Sequence, residues 1–471
     1  MNYKADNRHI AVRPNKDGFT IVELLVVIVI IGILAAITII SFSGISQRAT
    51  VASLQSDLKN AMSILEVDKI NSSTEAYPST KEGADSGRGL LNTSANLIRY
   101  TYNVSNNSYC VEAESNGTIY HLSSSDKIIT SGACPSYTKT LATMSPATIA
   151  TGVAPFDIVV SNNNASAYAT NTTSGTISQY NRNTSTGELT AMSTPTIATG
   201  AFARGIAISP DDTSVYVANQ GPDNISMYSR NSSTGQLTAL STPTIATQLN
   251  PYYIVVSPDG NSVYVTNLSS DTISMYSRNT STGELTVLST PTIATGSFPR
   301  GIAISPNGAS VYVANYSGNT ISQYSRNTST GELSSLGTPT ISTDAGPYNI
   351  IVSPDGNSVY ATTGDNHTIS MYTRNTSTGA LTAMSTPTIA CWTSYGITIS
   401  PGGASVYATN VNNGTVSMYG RNATTGILTA QSTPTISITN NPYGITISPD
   451  GESVYATSQN SNIITMYSTE L

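Results

Sequence analysis

The chain has 471 residues, enough for more than one domain and for substantial apolar cores. Its formal net charge is −7 with only 10% charged residues, so Ser, Thr, Asn and Gly carry the polarity, and no lysine follows Lys139. That balance excludes a nucleic-acid binder, which needs a basic patch to meet phosphates, and suits a protein displayed at a surface.

The first 18 residues, MNYKADNRHIAVRPNKDG, are polar, with Lys4, Arg8, Arg13 and Lys16 and no apolar core. From Gly18 to Ile40 the chain is apolar almost throughout, and Glu23 is its single charge. As a helix, Phe19–Ile40 would span roughly 30 Å, enough for a bilayer core. A secretory signal would place its cleavage site after the apolar run, whereas the processing point here lies before it, at Gly18–Phe19. A carboxylate in apolar surroundings is costly unless it meets a cation, and such a pairing fixes register. Beyond Ile40, apolar residues at helical spacing (Ile45, Ala49, Ala52, Leu58, Met62 and Leu65) predict that the helix continues as an amphipathic half to about residue 70.

Gly18, Phe19, Thr20 and Glu23, opening a long apolar helix, resemble the type IV prepilin signature. The resemblance implies a leader over 1–18, cleavage after Gly18 by prepilin peptidase, and methylation of the new Phe19 amine. It also implies a helix over 19–70 that packs with its copies into a helical filament, with Glu23 pairing to the Phe19 ammonium of a neighbouring subunit. The expected partners are therefore the pilus assembly machinery and other copies of the chain. The expected location is the inner membrane for the precursor and the extracellular pilus afterwards. Many pilins carry a proline where this chain has Ile40, a departure that leaves the kink or melted turn of that position without its residue here.

Asn71–Leu91 is rich in Ser, Gly and Pro and reads as a loop. Ile98–Val104, Tyr109–Ala113 and Thr118–Leu122 alternate in polarity, with Asn106–Asn107 and Asn116–Gly117 as tight turns and Ile128–Ile129 as a further short strand. A helix followed by such a meander resembles a pilin head, here over 71–138. Cys110 and Cys134 are close enough in sequence to close a modest loop in an exported protein, and Cys391 reads as a small buried residue. Glu114-Ser115-Asn116-Gly117-Thr118 fits an acidic-preceded glycosylation pattern and marks Asn116 as a candidate acceptor. Sequons also recur at Asn71, Asn183, Asn231, Asn279, Asn327 and Asn375, in a composition that generates many by chance.

The remainder repeats. Ser-Pro-Asp-Gly-x-Ser-Val-Tyr or a close variant starts at Ser209, Ser257, Ser305, Ser353, Ser400 and Ser448, and a degenerate copy starts at Ser161. A period of 47–48 residues predicts seven stacked units. The second copy reads as four strands, Gly205–Ser209, Ser214–Asn219, Asn224–Ser229 and Gln236–Leu240 with its extension. Four short strands per unit predict a seven-bladed β-propeller over 139–471, and β-solenoid repeats are typically shorter. The last copy lacks an outer strand, and 140–152 supplies one without the three before it, so the ring is expected to close there and lose its exposed edge. The motif SPDG…VYV.N…TIS…Y.R…TG.LT resembles the YVTN/lactonase-like propeller repeats. The fold expected overall is an α+β pilin module, a long helix plus an antiparallel sheet, followed by an all-β seven-bladed propeller.

Within the ring, the recurring Asp211, Asp259, Asp355 and Asp450 read as turn residues, since Asn307 and Gly402 replace them elsewhere and no second carboxylate stands at calcium-ligand spacing. No metal or cofactor is expected. Arg182, Arg230, Arg278, Arg326, Arg374 and Arg421 recur in Tyr-x-Arg-Asn and read as hairpin and blade-edge contacts on outer turns. Counting five back from each anchoring serine gives Phe156, Arg204, Tyr252, Arg300, Tyr348, Tyr395 and Tyr443, which should form a ring at one mouth of the channel. Packed on one another they would plug the axis. As a ligand site they would stack on surface glycans and hold an acidic group. The lactonase resemblance raises a competing reading, a membrane-tethered propeller enzyme. Against catalysis stand the near-identity of the repeats and a single propeller histidine, His367, in a turn.

Overall fold

The computed structural model describes residues 50–72, parts of 76–131, and 138–470 apart from residue 440. The leader, Gly18, Phe19, Glu23, the predicted membrane span, Asn116 and Cys134 lie outside the described residues. Among the described residues no helix is long and apolar enough to cross a membrane.

A helix, α1, runs over 50–71. Its buried seam is Leu54, Leu58, Ala61 and Leu65, the i, i+4, i+7 spacing that puts side chains on one face. The predicted Ala52 is exposed and Met62 only half-buried, so the face is rotated from the expected one. The seam packs on a four-stranded antiparallel sheet, β1 (Leu97–Asn103), β2 (Ser108–Ser115), β3 (Thr118–Ser123) and β4 (Thr130–Ser131), in sequential order. The fourth strand lies two residues beyond the predicted Ile128–Ile129. Tyr77, between helix and sheet, meets Tyr109 edge-on at 4.7 Å and donates its hydroxyl to Glu66. Glu66 also pairs with Lys127 at 3.0 Å.

From residue 140 the chain forms seven four-stranded antiparallel sheets. Their first strands, Pro155–Val160, Ala203–Ile208, Pro251–Val256, Pro299–Ile304, Pro347–Val352, Ser394–Ile399 and Pro442–Ile447, each touch the next, and the last touches the first. The sheets are therefore blades around one axis. The seventh blade is completed by β5 (Thr140–Ala150), which pairs antiparallel with Ile463–Glu470. Closure by the N-terminal strand is as the repeat arithmetic predicts.

Blade two shows the local logic. Ser214–Asn219 is buried at every position, because both of its faces pack against neighbouring sheets. The first strand starts at Ala203 rather than Gly205, since a bulge between Ala203 and Ile206 masks its first two residues in the sequence pattern. The outermost strand, Leu237–Ala246, runs through Pro243 with a register shift opposite.

The six arginines are not on outer turns. They are buried, and each reaches the preceding blade. Arg278 donates to the Tyr216 hydroxyl at 2.9 Å and to Ser214, and pairs with Asp211 at 2.9 Å. Arg182, Arg326 and Arg421 pair likewise with Asp450, Asp259 and Asp355. Arg230 and Arg374 meet Asn163 and Asn307 instead. Each of these aspartates also serves its own turn, as Asp259 accepts from Ser257 and the Asn261 amide. Burial alone would raise the Asp211 carboxyl, but hydrogen bonds from Ser209, Arg278 and Thr213 hold it down at about 2.

Candidate functional site at the axial mouth

The second residue of each innermost strand points to one end of the axis, and the seven predicted ring residues do come together there. Phe156, Tyr252 and Tyr348 are buried as one cluster, with Tyr395, Tyr443, Tyr253 and Tyr316 packed against it. The aromatic contacts close a circuit. Phe156 meets Tyr252 edge-on at 5.5 Å, Tyr252 meets Tyr348 at 6.2 Å, and Tyr348 stacks on Tyr395 at 4.0 Å. Tyr395 then meets Tyr443 at 5.0 Å, and Tyr443 returns to Phe156 at 5.5 Å. The Tyr252 and Tyr348 hydroxyls bond each other. These rings are in mutual contact across the axis, which is the plugging arrangement.

Two guanidiniums are set into the plug. Arg204 lies over Phe156 at 4.9 Å and Tyr252 at 5.4 Å, and its Nε donates to Gln220. Arg300 lies over Tyr316 at 3.7 Å and Tyr348 at 4.3 Å. Among the described residues neither has a carboxylate in ion-pair contact, and the Arg300 Nε is buried without a hydrogen-bond partner. Burial pushes the Tyr348 phenol well above its usual range, and burial with the neighbouring Tyr395 and Tyr252 pushes Tyr443 up to about 12.

The next layer down the axis escaped the sequence reading. One residue further along each strand stand Asp157, Gly205, Tyr253, Gly301, Asn349, Gly396 and Gly444. Glycine is required where the strands approach closely, since a Cβ at Gly301 would lie 2.6 Å from the Asn349 backbone and one at Gly444 would lie 2.6 Å from the Phe156 carbonyl. Asp157 breaks the symmetry. Its carboxylate accepts from the Ile158 amide at 2.9 Å and, across the blade boundary, from Ile206 at 3.2 Å. Burial raises it to about 7, against the two amide donors that pull it down. The only signal in the sequence was that an acid occupies a position where four of the seven repeats have glycine.

The loop entering each innermost strand forms the rim. Val153, Phe202, Leu249, Phe298 and Trp392 are its exposed apolar residues. Phe202 and Phe298 also have φ of 53° and 56°, a left-handed conformation unusual for an aromatic residue. His367 lies in the predicted turn, its Nδ1 3.1 Å from Thr393 Oγ1. Among the described residues no cluster of His, Cys, Asp or Glu suits a metal ion. Cys391 is free and buried, and burial pushes its thiol up.

Comparisons with known proteins agree with this geometry. Residues 130–251, 243–346 and 345–470 match the family described as lactonase, 7-bladed beta-propeller. Residues 13–39 match the prokaryotic N-terminal methylation motif. The chain is 36% identical over 114 residues to the type IV wide pilus major component PilA4 of Thermus thermophilus, covering 24% of this chain and 85% of that protein. It is 36% identical over 73 residues to the type II secretion system core protein G of Pseudomonas aeruginosa, covering 16% of this chain and 50% of that protein. Among solved structures, a putative 6-phosphogluconolactonase from Bacteroides fragilis superposes with a TM-score of 0.54 at 18% identity, over 75% of this chain and 98% of that one. Hydrazine synthase from Kuenenia stuttgartiensis superposes with a TM-score of 0.52 at 18% identity, over 69% of this chain and 98% of that one. At such identity the superpositions speak to fold alone.

Proposed function

Since the chain belongs both to the lactonase seven-bladed β-propellers and to the type IV pilins, we propose that it is a structural subunit of an extracellular pilus-like filament that displays the propeller on its surface. The observation that carries this reading is the coexistence of the methylation motif over 13–39 with a closed propeller from residue 140. Prepilin peptidase cleaves after Gly18, the helix over 19–70 joins the filament core, and Glu23 meets the Phe19 amine of a neighbour. The head over 71–138 is stapled by a Cys110–Cys134 bridge, a reading supported by the burial of Cys110 in β2. Asn116 is its candidate glycan acceptor. The test is to shear filaments from the cells and sequence their subunits. Finding this chain there with a methylated N-terminus at Phe19 is the expected result, and an intact leader on membrane-embedded monomer overturns it.

The propeller is read as a display module without enzymatic activity. Asp157 is the one axial acid among the described residues with a shift toward neutrality. A lactonase assay on the whole chain tests this, and turnover abolished by Asp157→Asn would reverse it. A second reading, adhesion to surface glycans at the plug, is favoured by two guanidiniums on aromatic faces without a carboxylate partner. Retention of the chain on immobilised acidic glycans should fall when Arg300, Tyr252 or Tyr348 is replaced by alanine. Unchanged retention removes that reading.

A further inference from the structure

The repeats provide their own reference for the one seam that differs. Six blade boundaries carry the buried arginine, but blade seven has Thr469 in its place, and Thr469 Oγ1 donates to the Gly451 carbonyl at 2.8 Å. The tyrosine it would have met, Tyr407 of blade six, donates to the Lys139 carbonyl at 2.8 Å, where Tyr216 and Tyr312 reach the carbonyls of Gly283 and Gly379. Lys139 is further held by its amide to Ser405 Oγ at 2.9 Å, by Gln431 on its carbonyl, and by an ion pair to Glu452 at 2.9 Å.

Blade six departs from the repeat at two more places. Gly402 stands where the other copies carry Asn163, Asp211, Asp259, Asn307, Asp355 and Asp450. Gly420 stands where they carry Asn181, Ser229, Ser277, Ser325, Thr373 and Ser468. Neither has a left-handed φ, so the backbone does not demand glycine. Space does. A Cβ on Gly402 would lie 3.1 Å from Oε1 of Glu112, a buried residue of β2, and a Cβ on Gly420 would lie 2.5 Å from Thr138 Cγ2. An aspartate at 402 would also set carboxylate against carboxylate, with no arginine at 469 to neutralise it.

We propose that Gly402 and Gly420 form a seat on blade six for the N-terminal head, occupied by Glu112 and Thr138. Lys139, which follows the docked head, occupies the seam of the missing arginine where the ring closes, and head and propeller move as one body.

The test is hydrogen exchange on the full chain in detergent, read at 108–115 and 138–143. Three variants are compared, each inserting a residue that other blades carry: G402D, G420S, and N307D in the blade-four turn. G402D and G420S are expected to speed exchange at both stretches by about tenfold or more, with E112Q partly restoring G402D, while N307D matches wild type. Should G402D lose its far-UV β signal, G402A and G420S carry the same comparison. If the seat variants behave like N307D, whether all are unchanged or all are loosened, the seat does not exist.

Discussion

Arg326 has no exposed side-chain surface, and it donates to Tyr264, Ser262 and both oxygens of Asp259 on the preceding blade. Arg374 sits in the same place one blade on, but its partner is Asn307. Removing Arg326 leaves a part-buried carboxylate uncompensated, whereas removing Arg374 leaves only neutral groups. Arg326→Ala should therefore cost about 3–5 kcal/mol and Arg374→Ala about 1–3, read as urea midpoints of the same chain. Two aspartates give pH dependence of opposite sign. Asp211 is held at about 2, below its unfolded value, so its contribution is present above about pH 4 and is lost as pH falls toward 2. Asp157 is raised to about 7, so the unfolded chain ionises first and stability declines as pH rises from about 4 to 7. Asp157→Asn should flatten that decline, because Asn349 at the equivalent place in blade five accepts the following amide through its own Oδ1. Denaturation midpoints at pH 4.5 and pH 8 check this, and a variant that keeps the wild-type slope would place the titrating group elsewhere.

Each blade ends in an edge strand exposed to solvent, and a proline sits in the middle of every one: Pro146, Pro195, Pro243, Pro291, Pro339, Pro387 and Pro434. In blade two the pairing jumps from Ala239 to Thr244, so the Pro243 stretch bulges away and interrupts the row of free donors. Pro243→Thr should change stability by less than about 1 kcal/mol while increasing self-association, measured by light scattering over time. Prolines in strands are legible from sequence, and so were the period, the four strands and the closing strand, because each is a local pattern repeated seven times. The ring of Phe156 to Tyr443 was legible for the same reason, since its members are found by counting from an anchored serine. The arginine contacts were misplaced because sequence shows which turn an arginine precedes and not which blade it enters, with partners 61 to 69 residues away or across the closure. Asp157 was missed because its role depends on how tightly seven strands converge.

At the scale of the whole molecule, the proposed function assigns assembly and display to separate parts of the chain. The seven blades close through β5 and bury cores built from their own strands. Under the proposed function, filament formation would depend on the segment matched by the methylation motif, and within it on Glu23, whose cost a neighbour's amine would offset. Glu23→Ala should therefore leave the propeller's thermal transition unchanged and reduce chain recovered in sheared filaments by about tenfold or more. The two readouts distinguish the causes of a loss. A drop in filament yield with a lowered transition would mean the variant is simply less stable, and undiminished filaments would mean that Glu23 does not set the register between subunits.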